Sequence, residues 1–250
     1  MKVFLTSFLA LFALLAVLLA GPALVIAMGT VSVGGNWMAA DRGSAGLAPD
    51  PEHTSEAVIQ VYAARAVSWR GAFGVHPWFA VKPVGADRYT VYEVIGWRLY
   101  RGQSVLSVSH RVPDGRWFGA APELVAELRG PEAAAAIPKL AEAAHAYPYA
   151  GEYRVWPGPN SNTFAAWVGR AVPELRLSLP STALGKDYIG SSLWAPAPSG
   201  TGWQVSLFGL FGALVAIEEG LELNLLGLTF GVDVKGLALK LPGLGRLALR

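Results

Sequence analysis

No charged residue occurs between Val3 and Met28, and this constrains the chain more than any other feature. Wound as a helix, the run is about 39 Å long, more than the roughly 30 Å hydrocarbon core of a bilayer. Only Thr6, Ser7, Gly21 and Pro22 interrupt it. A secretory signal has an apolar region of only about 7–15 residues, so the length favours an uncleaved transmembrane anchor over residues 1–28. Lys2 and the small residues around Ala20, Gly21 and Ala23 keep a cleaved signal as the alternative. A buried soluble helix would need an equally apolar cover. Positive charge at Met1 and Lys2, against a stretch to Gly43 that carries only Asp41 and Arg42, places the N-terminus in the cytoplasm and the following domain across the membrane. In a bacterium that is the periplasmic side of the inner membrane.

Composition agrees with membrane contact. Hydrophobic residues make up 53% of the 250 and charged residues 15%, where soluble domains have roughly 45–50% and about 25%. Membrane lipid is therefore an expected partner. A net charge of +2 without a basic cluster argues against nucleic acid. The chain has no cysteine, which excludes disulfides, thiolate metal sites and thiol nucleophiles.

Residues 29–55, rich in Gly, Ala, Ser, Pro and Asp, read as a linker or loosely packed approach. Strands are expected over Ala57–Ala66, His76–Lys82, Tyr89–Leu99 and Ser104–His110, followed by a turn at Pro113-Asp114-Gly115. Pro122–Arg129 reads as a short helix. Glu132–Ala146 is an Ala-rich helix that Pro138 would bend or divide, and Asn162–Val172 is a third. Leu175, Leu177 and Leu179 alternate as a strand would. Trp203–Ile217 is nearly all apolar but short for a membrane span, so a buried or interfacial helix is expected, with a second span as the alternative. Leu221–Leu241 alternates between glycines, as an antiparallel meander does. The division is an α+β core over 56–200 and an apolar helix plus β-meander over 201–250.

The sharpest chemical signal is Asn160-Ser161-Asn162-Thr163-Phe164, at a loop-to-helix junction prepared by Pro157-Gly158-Pro159. Ser and Asn are favoured helix caps, so Ser161 reads first as a capping residue. A helix start is also where a nucleophile gains from the macrodipole and free amides. His53, His76, His110 and His145 are dispersed, with no metal-ligand spacing, and no Walker loop or dinucleotide fingerprint occurs; no metal and no cofactor is expected. Glu218, Glu219 and Glu222 read as the polar boundary after an apolar segment. Lys186-Asp187 reads as a turn with a local ion pair, and as a candidate anion holder.

Longer matches extend across the chain. His76-Pro77-Trp78, Tyr92-Glu93-Val94, Gly96-Trp97-Arg98, Asp114-Gly115-Arg116-Trp117, Trp156 to Phe164, Gly185-Lys186-Asp187-Tyr188, Glu219-Gly220-Leu221-Glu222 and Lys240-Leu241-Pro242-Gly243 resemble an uncharacterised bacterial family, domain of unknown function 3750. That resemblance carries no known activity. The segments around His76 and Ser161 also resemble circularly permuted papain-like proteins of the NlpC type, in which a cysteine opens a helix and a histidine lies upstream on a strand. This second resemblance implies a papain-like core with Ser161 at the cysteine position, His76 as base and Glu93 as its orienting group.

A serine in a site shaped for a thiolate must lose its proton as it attacks, whereas a thiol of pKa near 8.5 is readily ionised. The leading expectation is therefore a membrane-anchored envelope protein with a degenerate papain-like pocket that binds a small molecule or peptide. Asn160, Asn162, Trp78, Lys186 and Asp187 are the candidate binding residues. One alternative is a serine-dependent hydrolase or acyltransferase on peptide, amide or lipid ester bonds, using Ser161, His76 and Glu93. The other is a structural membrane protein whose apolar C-terminal third contacts lipid or a partner.

Overall fold

The computed structural model describes residues 2–34 and 36–248. Helix α1 spans Lys2–Ala27 and is long and apolar enough to cross a membrane. Its side chains from Leu5 onward are mostly exposed, but Leu18 and Val25 are buried. Val25 packs with Val31 and Ala72 of the folded domain. The approach is close enough to demand glycine: a Cβ on Gly21 would stand 1.9 Å from the carbonyl oxygen of Pro242.

Five strands form the first sheet: β1 (Val58–Arg65), β2 (Val75–Lys82), β3 (Thr90–Val94), β4 (Leu106–Ser109) and β5 (Glu123–Arg129). Their order is β4-β3-β2-β1-β5, and every neighbouring pair is antiparallel. The short helix expected over Pro122–Arg129 is thus corrected to an edge strand. Its residues are good helix formers, but the free edge of β1 pairs with them from Val58↔Arg129 to Ala63↔Glu123, across an irregularity at Val61/Tyr62. Tertiary pairing overrides a local propensity of tenths of a kcal/mol per residue.

Two helices cover one face of this sheet. Helix α2 (Gly130–His145) runs through Pro138 without dividing, and α3 (Ser161–Ala171) follows a long loop. Side chains alternate across each strand, so Ile59, Val61, Phe79, Val81, Tyr92 and Val94 meet Leu140, Phe164 and Val168 in the main core. Leu175, Leu177 and Leu179 are buried in the same core. Leu175 ends a 3-10 turn at Pro173–Leu175, Leu177 and Leu179 follow it, and none of the three joins a ladder, which corrects the expected strand. On the other face Val58, Tyr62, Trp78, Ala80 and Val91 pack with Trp117. The stretch expected to be a loosely packed approach helps to close that face. The Asp114 carboxylate accepts hydrogen bonds from the Ser44 hydroxyl and from the Leu47 and Ala48 amides, and Tyr89 donates to Pro49.

The second sheet is a seven-stranded antiparallel meander: β6 (Trp194–Pro196), β7 (Gly202–Leu207), β8 (Phe211–Ala216), β9 (Gly220–Leu225), β10 (Leu228–Asp233), β11 (Ala238–Leu241) and β12 (Gly245–Ala248). The meander expected from Leu221 onward begins earlier. The apolar helix expected at 203–217 is corrected to the hairpin β7–β8, paired from Gly202↔Ala216 to Leu207↔Phe211. The physical reason lies in Trp203-Gln204-Val205-Ser206-Leu207, which alternates with period two, and in Phe208 and Gly209, whose positive φ values of 53° and 74° close the turn.

Candidate functional site

The start of α3 is built by Asn160. Its side-chain oxygen accepts from the Asn162 and Thr163 amides, and the Thr163 hydroxyl accepts from the Asn160 amide, giving a reciprocal capping box. The Asn160 amide nitrogen donates to the carbonyls of Val155 and Leu184. The cap is therefore Asn160, and Ser161, expected there, is the first helical residue. Ser161 is buried, with Tyr153 beside it. Burial raises the Tyr153 phenol above its ordinary value, and the hydrogen bonds from Ser161 act against that rise. Asn162 donates to Val75 and Leu184 carbonyls at 3.1 and 2.9 Å, while its Oδ1 is buried with no partner among the described residues.

His76 occupies a different environment. It shares the face of β2 that carries Trp78, whereas Phe79 points the other way and meets Phe164 of α3 edge-on. The register of β1 with β2 is continuous through His76, so no bulge turns its side chain toward α3. The imidazole Nε2 lies 2.9 Å from Glu93 Oε2, and its ring stacks on Trp117 with centroids 3.7 Å apart. Arg111 grips the same carboxylate with Nε at 2.9 Å and Nη2 at 3.2 Å. Burial pushes the Glu93 carboxyl up, but the His76 hydrogen bond and the Arg111 charge outweigh it and hold the group at about 2. Burial lowers His76 from its ordinary value, more than Glu93 raises it. The ring is thus neutral near pH 7, and a carboxylate partner assigns its proton to Nε2. The structure joins His76 to Glu93. It sets both on the face opposite α3 and Ser161.

The candidate binding residues are also held in place. Trp78 is buried, donates to the Pro113 carbonyl at 2.7 Å, and lies under the Arg111 guanidinium. Lys186 and Asp187 form their local ion pair at 2.9 Å, but deep in the interior. Lys186 also donates to Glu222, and Lys240 binds the other Glu222 oxygen, both at 2.6 Å. Asn224 donates to Asp187. Desolvation disfavours the Lys186 cation, yet Asp187 and Glu222 raise its pKa above the usual value. Glu222 and Glu219, expected at a polar boundary, are both buried. Arg111, Trp117 and Tyr153 were missed as partners in the sequence. The Asp114-Gly115-Arg116-Trp117 motif was the available signal for Trp117.

A cleft of about 500 Å³ opens between the residues after α1 and the sheet, with Val31, Trp37, Arg65, Trp117 and Phe118 among its walls. Arg42 lies over the Phe118 ring at 4.5 Å. No group of three or more potential metal-ligating His, Asp or Glu side chains occurs among the described residues.

This arrangement defines an antiparallel α+β domain joined to an apolar helix, with a histidine–carboxylate–arginine cluster on one face and a capped helix start on the other. The chain belongs to the family described as "Protein of unknown function (DUF3750)", whose model matches residues 56–188. The matched stretch contains the first sheet, both covering helices, His76, Glu93, Ser161 and Lys186, and stops before the second sheet. Neither the curated proteins nor the solved structures searched gave a match.

Proposed function

We propose that this protein is held at a membrane by α1 and acts there by binding, not by covalent catalysis. One observation carries the reading: β2 directs His76 away from α3, and the imidazole is committed to Glu93 and Trp117. A serine nucleophile needs a base within about 2.6–3.2 Å of its proton. The Tyr153 phenol, which interacts with Ser161, has a pKa raised by burial and is a poor base. The aromatic cleft beside Trp117 is the ligand site in this reading. Its volume falls in the range of about 300–1,000 Å³ usual for small-molecule sites. It opens beside Thr30–Gly34, at the membrane end of the domain, which suits a ligand with an apolar portion. In this reading the domain lies on the periplasmic side of a bacterial inner membrane, and the sheet with its two helices is a degenerate papain-like pocket whose acyl-transfer chemistry has lapsed.

The test is labelling of the full chain in detergent with a fluorophosphonate, wild type beside Ser161→Ala. The expected result is no labelling of either. Labelling of wild type that Ser161→Ala abolishes would overturn the proposal in favour of a serine hydrolase or acyltransferase.

A further inference from the structure

The second sheet is inside out by the standard of a water-soluble protein. A one-sided antiparallel sheet ordinarily turns apolar residues to the core and polar residues to solvent. Here the face toward the rest of the domain carries Gln204, Ser206, Glu222, Asn224, Thr229 and Lys240, all buried. Their charges are satisfied by the Lys186–Asp187–Glu222–Lys240 network.

The opposite face is apolar from edge to edge. Following the pairing across the strands, one row runs Trp203, Val215, Leu221, Val232, Leu239 and Leu247. Each of these is exposed, from 38% at Leu239 to 61% at Val215. A parallel row begins with Trp194 and Val205 and passes through Leu223 to Phe230. Neither row contains a charged or polar side chain. Continuous apolar surface of this kind marks a contact site, because soluble monomers rarely expose patches above a few hundred Å².

We infer that this face rests in the lipid bilayer, so that the domain is embedded in one leaflet as well as tethered. Continuity with the anchor singles out lipid as the occupant. Helix α1 meets the turn between β11 and β12, where Gly21 and Pro22 touch Pro242 and Gly243. A helix able to cross the membrane is thus packed against the same sheet whose free face is apolar. The strands, at most six residues long, fall short of the 9–11 residues that a spanning strand needs. The sheet therefore lies in one leaflet and does not cross. Trp194 and Trp203, in mutual contact with centroids 5.1 Å apart, stand at the β6 edge, and tryptophan is favoured at the membrane–water boundary.

The inference rests in part on the anchoring read above, and the test separates the two. Because the chain has no cysteine, single spin labels can be placed at Leu11→Cys, Val215→Cys, Leu223→Cys and Tyr100→Cys. The full chain is reconstituted in vesicles of phosphatidylcholine and phosphatidylglycerol. Accessibility to oxygen, which partitions into lipid, is compared with accessibility to a water-soluble nickel chelate. The expected oxygen-to-nickel ratio at Val215 and Leu223 matches that at Leu11 and exceeds that at Tyr100, which is 92% exposed on the first domain. If Leu11 is in lipid while Val215 and Leu223 resemble Tyr100, the anchor stands and this inference falls. If neither reagent reaches Val215 and Leu223, protein covers the face and the inference falls. If Leu11 also resembles Tyr100, the anchoring falls, and a lipid ratio at Val215 and Leu223 alone would still uphold the sheet. A label that unfolds the domain, seen as loss of near-ultraviolet dichroism, is replaced by Leu221→Cys on the same face.

Discussion

Replacing Glu93 by glutamine should weaken the fold by an amount that depends on pH. Glu93 is 2% exposed and accepts from both His76 and Arg111. Its folded pKa of about 2 lies below the ordinary value of 4.5, and each unit of difference corresponds to about 1.4 kcal/mol. The ionised carboxylate therefore contributes roughly 3 kcal/mol at neutral pH, consistent with the 3–5 kcal/mol range for breaking buried pairs. Because the folded pKa is depressed, this stability is fully present above pH 4.5 and is lost as pH falls toward 2. His76 acts in the same direction at higher pH. Its folded pKa is lowered, so unfolding binds a proton and stability declines as pH drops below about 6.5. The assay is urea unfolding of the full chain in detergent, followed by tryptophan fluorescence, from pH 7 to pH 3. Glu93→Gln should lie about 3 kcal/mol below wild type at pH 7 and about 1 kcal/mol below it at pH 3, since wild type has by then lost most of the carboxylate's contribution. A gap that stays constant over that range would refute the assignment of an ionised, His- and Arg-bound Glu93.

Asn160→Ala should cost about 2 kcal/mol, the upper end for a lost cap, because two helix amides and two carbonyls lose their partner; Ser161→Ala should cost under about 1 kcal/mol, and thermal unfolding of the two variants side by side checks the order. Lys186→Met should destabilise by roughly 3–5 kcal/mol, since it strands Asp187 and half of Glu222; denaturant midpoints report it. Gly185→Ala should be at least as harmful as Asn160→Ala, because φ is 99° and the new Cβ would sit 2.3 Å from Asn160 Nδ2; loss of the folded fraction on size exclusion is the readout.

Where periodicity and burial agree, the sequence reveals the fold. Strands β1 and β2 and helix α3 fall within a residue or two of their expected bounds. Strand β5 was not legible because Glu123-Leu124-Val125-Ala126-Glu127-Leu128 carries no alternation strong enough to overrule helix propensity; only the waiting edge of β1 makes it a strand. The β7–β8 hairpin was hidden by its apolar content, although Gln204 and Ser206 alternate with Trp203, Val205 and Leu207. Such a pattern normally implies that the apolar set faces inward, and here it faces out. The site was legible in part. Glu93 was expected beside His76 from the papain-like resemblance, and the two side chains lie 2.9 Å apart. The face on which His76 points depends on a strand's phase against helices far away in sequence, and no local pattern encodes that. The Lys186 network joins residues 18 and 36 positions apart, and its members look like ordinary turn and boundary residues until the meander brings them together.

The contact between Gly21 and Pro242 has a mechanical consequence. A domain on a long flexible stalk can swivel and search a volume above the bilayer. Here the backbone of α1 lies against the β11–β12 turn, and Val25 packs beside Ala72, contacts that a swivelling domain would have to break. If α1 crosses a membrane and the cleft binds as proposed, its encounters would be confined to what diffuses laterally past it.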